Sequence, residues 1–192
     1  MPYINGGRDS ASSVKCIANL HQIGVMTEIY CSDSGNILPP NNSWTSGGSS
    51  YLELLVAQVK GVGIPEARNA IARGEVPSHC PVVLPGDRGI TYKSPNGSSY
   101  WINYGVNYVN LGGLMTVDGP PAFSRFNVKH PSKCIYLADG QMTLLNYAWS
   151  AAQPAARHHG KSNVLWIDGH VTSELQSWLV DPANYVEYWW SQ

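Results

Sequence analysis

Over residues 10–31, Cys16, Leu20, Ile23 and Tyr30 recur at helical spacing, while Lys15, Asn19, Gln22 and Glu28 fall on other faces. That pattern predicts an amphipathic helix whose Cys16–Leu20–Ile23 face buries against another element. Gly35 and the pair Pro39-Pro40 stop it. Ser50 and Glu53 have the spacing of a capping box, which predicts a second helix from about Tyr51 to Val59. A third, shorter one is expected to start with Pro65 at its first position and end at Gly74. The Pro- and Gly-rich stretch 77–99 around Cys80-Pro81 reads as loop, as does 41–49. From residue 100 the period changes to two. Tyr100, Ile102, Tyr104, Val106 and Tyr108 share one strand face, opposite Trp101, Asn103 and Asn107. Residues 123–128 and 133–138 are further strand candidates. Asn163–Ile167, Asp168-Gly169 and His170–Leu175 predict a hairpin with a two-residue primed turn, both turn positions at positive φ.

Helices first and antiparallel strands afterwards is the order of an α+β fold, not of an alternating parallel sheet. The whole of 1–192 is expected to form one domain: the N-terminal helix, a helix and loop insertion over 32–99, and an antiparallel sheet with a C-terminal tail over 100–192.

Composition narrows the function classes. The chain of 192 residues is 43% hydrophobic and 13% charged with a net charge of −1, which argues for a globular chain over a disordered one. Its 12 basic residues are scattered, so the clustered Lys and Arg that bind nucleic acid are missing. The 19 Gly, 13 Pro, 7 Trp and 11 Tyr fit a loop-rich domain outside the cytoplasm. Four cysteines permit three full pairings. Cys16 and Cys31 would lie about 22 Å apart along one helix, too far to bridge. Cys31 and Cys80, both at element ends, are the first pair to test, and four free, buried thiols remain the open alternative.

Several segments, taken in order, resemble one known group. Cys16 to Gly24 (CIANLHQIG) is similar to the C-x-x-N-L-x-Q-I/L-G stretch that follows the membrane helix of prepilin-like proteins. Tyr30 with Asp33 to Pro40 (DSGNILPP) resembles their Y-x-x-D-x-G-x-L-P, Tyr104 to Asn107 their Y-G-x-N, and Pro131 to Gly140 (PSKCIYLADG) their P-S-x5-A-D-G strand. His158, nine intervening residues, then Asp168-Gly169 fits an H-x9-D-G signature. The chain therefore resembles the pseudopilins of type II secretion systems. The resemblance implies a pilin-like fold, with a long N-terminal helix on an antiparallel sheet. It implies a non-catalytic role as subunit of a pseudopilus or type IV pilus-like filament, among other pilin-like subunits and inner-membrane secretion components. It also implies membrane anchoring through an N-terminal helix, with processing and methylation at its start, in the cell envelope. The leader and apolar run of that family are absent from this sequence, so the chain is expected to begin beyond them. His158, Asp168, Gly169, Asp139 and Gly140 are the motif residues the resemblance singles out.

The residues also offer metal-binding and catalytic readings. His158, Asp168 and His170, with Asp139, offer imidazole and carboxylate to a metal, but no short fixed spacing ties any two together. Structural hydrogen bonding of the turn is the blander expectation. Calcium, held by Asp and backbone carbonyls, is preferred among metals through the resemblance to calcium-binding pseudopilins. For catalysis, Ser49 lacks a nucleophile elbow, Gly61-Val62-Gly63 fails the dinucleotide fingerprint, and His79 and Cys80, being adjacent, point apart. An extracellular carbohydrate-binding or adhesive module is the alternative function, using Trp44, Trp149, Trp178, Trp189 and Trp190 to stack on sugars. Loops 41–49 and 84–99 are expected to face outward and set partner choice.

Overall fold

The structure, a computed structural model, describes residues 3–40, 49–84, 90–93, 97, 99–107, 123–142, 144–146 and 150–184. Helix α1 (Tyr3–Asp33) opens the fold, followed by α2 (Tyr51–Lys60) and α3 (Ile64–Ala72). Strands β1 (Ile90–Lys93) and β2 (Ser99–Ile102) form a small antiparallel ribbon. The main sheet comprises β3 (Tyr104–Asn107), β4 (Ile135–Asp139), β5 (Leu144–Leu145), β6 (Lys161–Trp166) and β7 (Val171–Leu175) in the order β5-β3-β4-β6-β7. Its four longer strands are antiparallel, and only the two-residue β5 runs parallel to β3. A single turn, α4 (Gln176–Leu179), follows β7. The class is α+β, as the order of periodicities predicts. None of the described helices is long and apolar enough to cross a membrane.

The start of α2 follows directly from its sequence. The Ser50 hydroxyl accepts from Glu53 N–H, and the Glu53 carboxylate accepts from Ser50 N–H, so both arms of the capping box are made. In α3 Gly63 is the cap and Ile64 opens the helix, so Pro65 stands one position later than expected. On α1, Cys16, Leu20 and Ile23 are fully buried and Tyr30 partly so, and the helix lies across β6 and β7 beside α2. The approach is close: a Cβ on Gly24 would stand 3.1 Å from Leu165 Cδ1. The main core fills this layer between helices and sheet. On the other sheet face, Ile135, Ala138, Leu145, Val164 and Trp166 pack with Leu179 of α4. Strand β4 is therefore buried along its whole length.

Three expectations are corrected. The strand over 100–108 breaks at Asn103 into β2 and β3, which belong to different sheets. Asn103 leaves the ladder because its N–H goes to Ser78 O (3.4 Å) and its carbonyl accepts from Gly140 N–H (2.8 Å). Tyr108 lies outside the described residues. Residues 123–128 form no strand: Ser124 bridges to Ile37 and then caps a 3-10 turn over Arg125–Asn127. The hairpin exists, but its loop is Ile167-Asp168-Gly169, closed by Gly169 N–H to Trp166 O (3.0 Å), with only Gly169 at positive φ (91°). That is a three-residue loop ending in a glycine bulge.

Candidate functional site

The two-residue primed turn is at the other end of β6. His159 (φ 53°) and Gly160 (φ 82°) connect His158 to Lys161, whose backbone groups exchange two hydrogen bonds of 3.1 Å each. The tight turn fixes where His158 enters the sheet and sends its ring inward, where it is buried.

Three other segments deliver side chains to the same point. Cys16 comes from α1, one turn before Leu20. Cys80 comes from the segment after α3, and its N–H donates to Asn103 Oδ1 at 2.8 Å. Asp139 ends β4 and is fully buried. Cys16 and Cys80 are joined in a disulfide with Cα atoms 5.2 Å apart, within the ordinary span of such bonds. The expected Cys31–Cys80 bridge is overturned, and so is the alternative of four free thiols: Cys31 and Cys134 are free and buried, while Cys16 pairs across 64 positions. The helix carries Cys16 on its core-facing stripe directly against the incoming Cys80, so the end-of-element position of Cys31 did not decide the pairing.

Around the bridge, Cys80 Sγ stands 3.4 Å from His158 Nε2, and Cys16 Sγ 3.6 Å from Asp139 Oδ1. His158 Nε2 is also 3.3 Å from Asp139 Oδ2. That oxygen accepts from Asn163 N–H at 2.9 Å, and Ser162 donates to the Asp139 backbone carbonyl at 3.3 Å. A buried carboxylate needs hydrogen-bond donors, because a polar group left unpaired in the interior is costly. Tyr104 hydroxyl lies 3.5 Å from Cys16 Sγ and accepts from Asn19 Nδ2 at 3.0 Å. Burial, reinforced by Asp139, pushes the Tyr104 phenol above its ordinary range, so it stays protonated. Arg157 crosses behind the site and donates to Gly140 O and Val82 O, both at 2.5 Å. A side chain at Gly140 would crowd the backbone, its Cβ meeting Met142 O at 3.0 Å and Gly105 N at 3.3 Å.

The sequence candidates thus divide. Asp139 and His158 meet inside the protein. Asp168 and His170 meet on the surface, with His170 Nδ1 2.5 Å from Asp168 Oδ1 and His170 N–H donating to the same oxygen at 3.2 Å. His170 also stacks on Trp166, ring centroids 5.6 Å apart. The H-x9-D-G spacing therefore spans β6 and both its turns, and does not mark one constellation. Cys16 and Cys80 were not among the metal candidates, because donors at positions 16, 80, 139 and 158 share no local spacing. His79 is exposed and Cys80 buried, so that adjacent pair does point apart, as expected. Trp178 is partly exposed, whereas Trp44, Trp149, Trp189 and Trp190 lie outside the described residues, as do 41–48 and most of the 84–99 loop.

A Cys–His–Asp grouping invites comparison with a nucleophilic triad, and the geometry speaks against one. A relay needs the nucleophile at one ring nitrogen and the carboxylate at the other. Here sulfur and carboxylate both converge on Nε2, and Nδ1 has no hydrogen-bond partner among the described residues. The sulfur is also bonded to Cys16 and buried. Compared with protein-family models, curated proteins and solved structures, the chain has no significant match in any of the three.

Proposed function

We propose that the chain is the globular part of a pilin-like filament subunit, of the kind that builds a type II secretion pseudopilus or a type IV pilus-like fibre, and that its role is structural. The observation that carries this is a second apolar stripe on α1. Its buried stripe, Cys16–Leu20–Ile23, faces the sheet. On the opposite side Val14 (67% exposed), Val25 (60%) and Ile29 (41%) lie within about 60° of one another. Ala11 and Ala18, also exposed, continue the same line. Positions 11, 14, 18 and 25 follow the three-and-four spacing by which helices pack on helices. A helix of 31 residues, roughly 46 Å long, that is apolar on two sides has one face for its own sheet and one for a neighbour. The neighbour on this reading is the α1 helix of another pilin-like subunit. The packing of α1 across β6 and β7 of an antiparallel sheet supports the reading, since a helix laid on such a sheet is what the sequence resemblance implies.

The test is made in the native cells. The mature protein is expected in a membrane or surface-filament fraction, with a processed, N-methylated first residue followed by an apolar helix on mass spectrometry. Val25→Lys is expected to release it from assemblies while leaving circular dichroism unchanged. A mature protein starting near Met1 in a soluble fraction, unaffected by Val25→Lys, would overturn the reading.

A further inference from the structure

Cys16, Cys80, Asp139 and His158 each offer one buried ligand atom, and the four atoms lie within 4.8 Å of one another. We propose that these residues form a site for a zinc-type divalent cation, open to the metal only when the Cys16–Cys80 bond is reduced. The inference does not depend on the filament reading.

The donor set comes first. Two thiolates, an imidazole and a carboxylate are the soft-to-borderline ligands that hold zinc in a closed tetrahedral site. Calcium, the metal favoured by the sequence, takes only oxygen ligands and is ill served by two sulfurs. Geometry agrees with zinc. Metal–ligand arms of about 2.0–2.3 Å place neighbouring ligand atoms about 3.3–3.8 Å apart on the edges of a tetrahedron. Asp139 Oδ2 and His158 Nε2 are already 3.3 Å apart and His158 Nε2 and Cys80 Sγ 3.4 Å, while Cys16 Sγ lies 3.6 Å from the other Asp139 oxygen, Oδ1. The convergence of sulfur and carboxylate on the single atom Nε2, which defeats a proton relay, is what a shared ion between them requires. A bonded sulfur pair cannot serve as two thiolate ligands, and reduction is the step that frees it.

The frame is built to hold such a set. Cys16 is fixed by a helix packed on the sheet, Asp139 by Asn163 N–H at 2.9 Å, His158 by its tight turn, and Cys80 by Asn103 at 2.8 Å. Two thiolates and a carboxylate leave an excess of one negative charge over a divalent ion. The buried Arg157 guanidinium, bonded to the carbonyl of Gly140 next to Asp139, helps balance it. On the solvent side, Lys15, Asn19, His79 and Pro81, which flank the two buried cysteines in sequence, line a pocket of about 410 Å³.

The chemistry balances as follows. A dithiol reductant gives two electrons and two protons to the disulfide, leaving two protein thiols and its own oxidised cyclic disulfide. On metal binding the two thiols release their protons to water while His158 binds neutral. Closing the disulfide again passes two electrons from the thiolates to an oxidised dithiol, which takes up two protons from water, and expels the ion.

The experiment uses the full chain. It is reduced anaerobically, stripped with a chelator, freed of both reagents and titrated with Co(II), with far-UV circular dichroism as the check on folding. We expect one Co(II) per chain, with a thiolate-to-cobalt charge-transfer band and the intense visible bands of tetrahedral cobalt, displaced by zinc. The oxidised chain should show no such band. Cys16→Ser and Asp139→Asn should weaken binding by at least about 100-fold, while Cys134→Ser binds like the parent. A folded, reduced chain with no tetrahedral signal would overturn the proposal. So would a signal that survives Cys16→Ser, or a reduced chain that unfolds and is not refolded by zinc; the disulfide would then be a structural staple alone.

Discussion

Strand β6 carries an Asp–His pair at each end, and the two pairs differ in almost every physical respect. At its start, the His159-Gly160 turn sends His158 inward to Asp139 and the Cys16–Cys80 bridge, with all four residues buried. At its end, the Ile167-Asp168-Gly169 loop leaves Asp168 and His170 bonded to each other in solvent. Both ends are made by a glycine at positive φ, so backbone chemistry alone does not separate them. What does is the layer each faces: α1 and the 73–84 segment close over the first, whereas Asp168 and His170 at the second stay at the surface, with Gly169 O 3.7 Å from where a Gly24 Cβ would stand. The same pair of residue types is thus a buried constellation or a surface turn contact according to what covers it.

Substitutions can sharpen that contrast. The largest effect is expected from Asp139→Ala, which strips a buried histidine of its carboxylate and leaves Asn163 N–H without its acceptor. A loss of about 3–5 kcal/mol should appear in urea unfolding of the oxidised chain. Gly24→Leu, which drives a side chain into Leu165 at the far end of the strand, should cost about 1–3 kcal/mol by the same assay. Gly169→Ala, forced to φ 91°, should cost about 1–2 kcal/mol. Asp168→Ala removes only a surface pair and should lose no more than about 1 kcal/mol. If Asp168→Ala proved as damaging as Asp139→Ala, the division between the ends of β6 would be wrong.

A separate, pH-dependent effect concerns the two free thiols, Cys31 and Cys134. Burial pushes Cys31 up to about 11 and Cys134 up to about 12. Above pH 9 the unfolded chain gives up thiol protons that the folded chain still holds, so folding binds protons. The stabilisation is therefore complete below pH 9 and erodes as pH climbs through 11 to 12. The urea midpoint should fall over that window, and less steeply in Cys134→Ala. A midpoint insensitive to alkaline pH would show that these thiols are not held neutral by the core.

Local physics made much of the fold legible. The Cys16–Leu20–Ile23 stripe, the Ser50–Glu53 box and the existence of the β6–β7 hairpin are set by residues within one or two turns of each other. What was not legible depends on distant partners. Asn103 breaks its strand only because Ser78 and Gly140 take its backbone groups, and the 123–128 stretch bends because Ser124 meets Ile37. The disulfide was misassigned for the same reason, since nothing near Cys80 in sequence points to Cys16. A weak signal for the buried site did exist: His158 precedes His159-Gly160, and such a pair can make the tight turn that fixes a side chain's direction.

The convergence of α1, the post-α3 segment, β4 and the β6 turn on one point is tested most directly by mapping the disulfide. Digesting the non-reduced protein after blocking free thiols, and identifying linked peptides by mass spectrometry, should yield one bridge, Cys16 to Cys80, with Cys31 and Cys134 carrying the blocking group. A Cys31–Cys80 peptide, or four blocked cysteines in protein kept under oxidising conditions, would contradict the geometry on which the site rests.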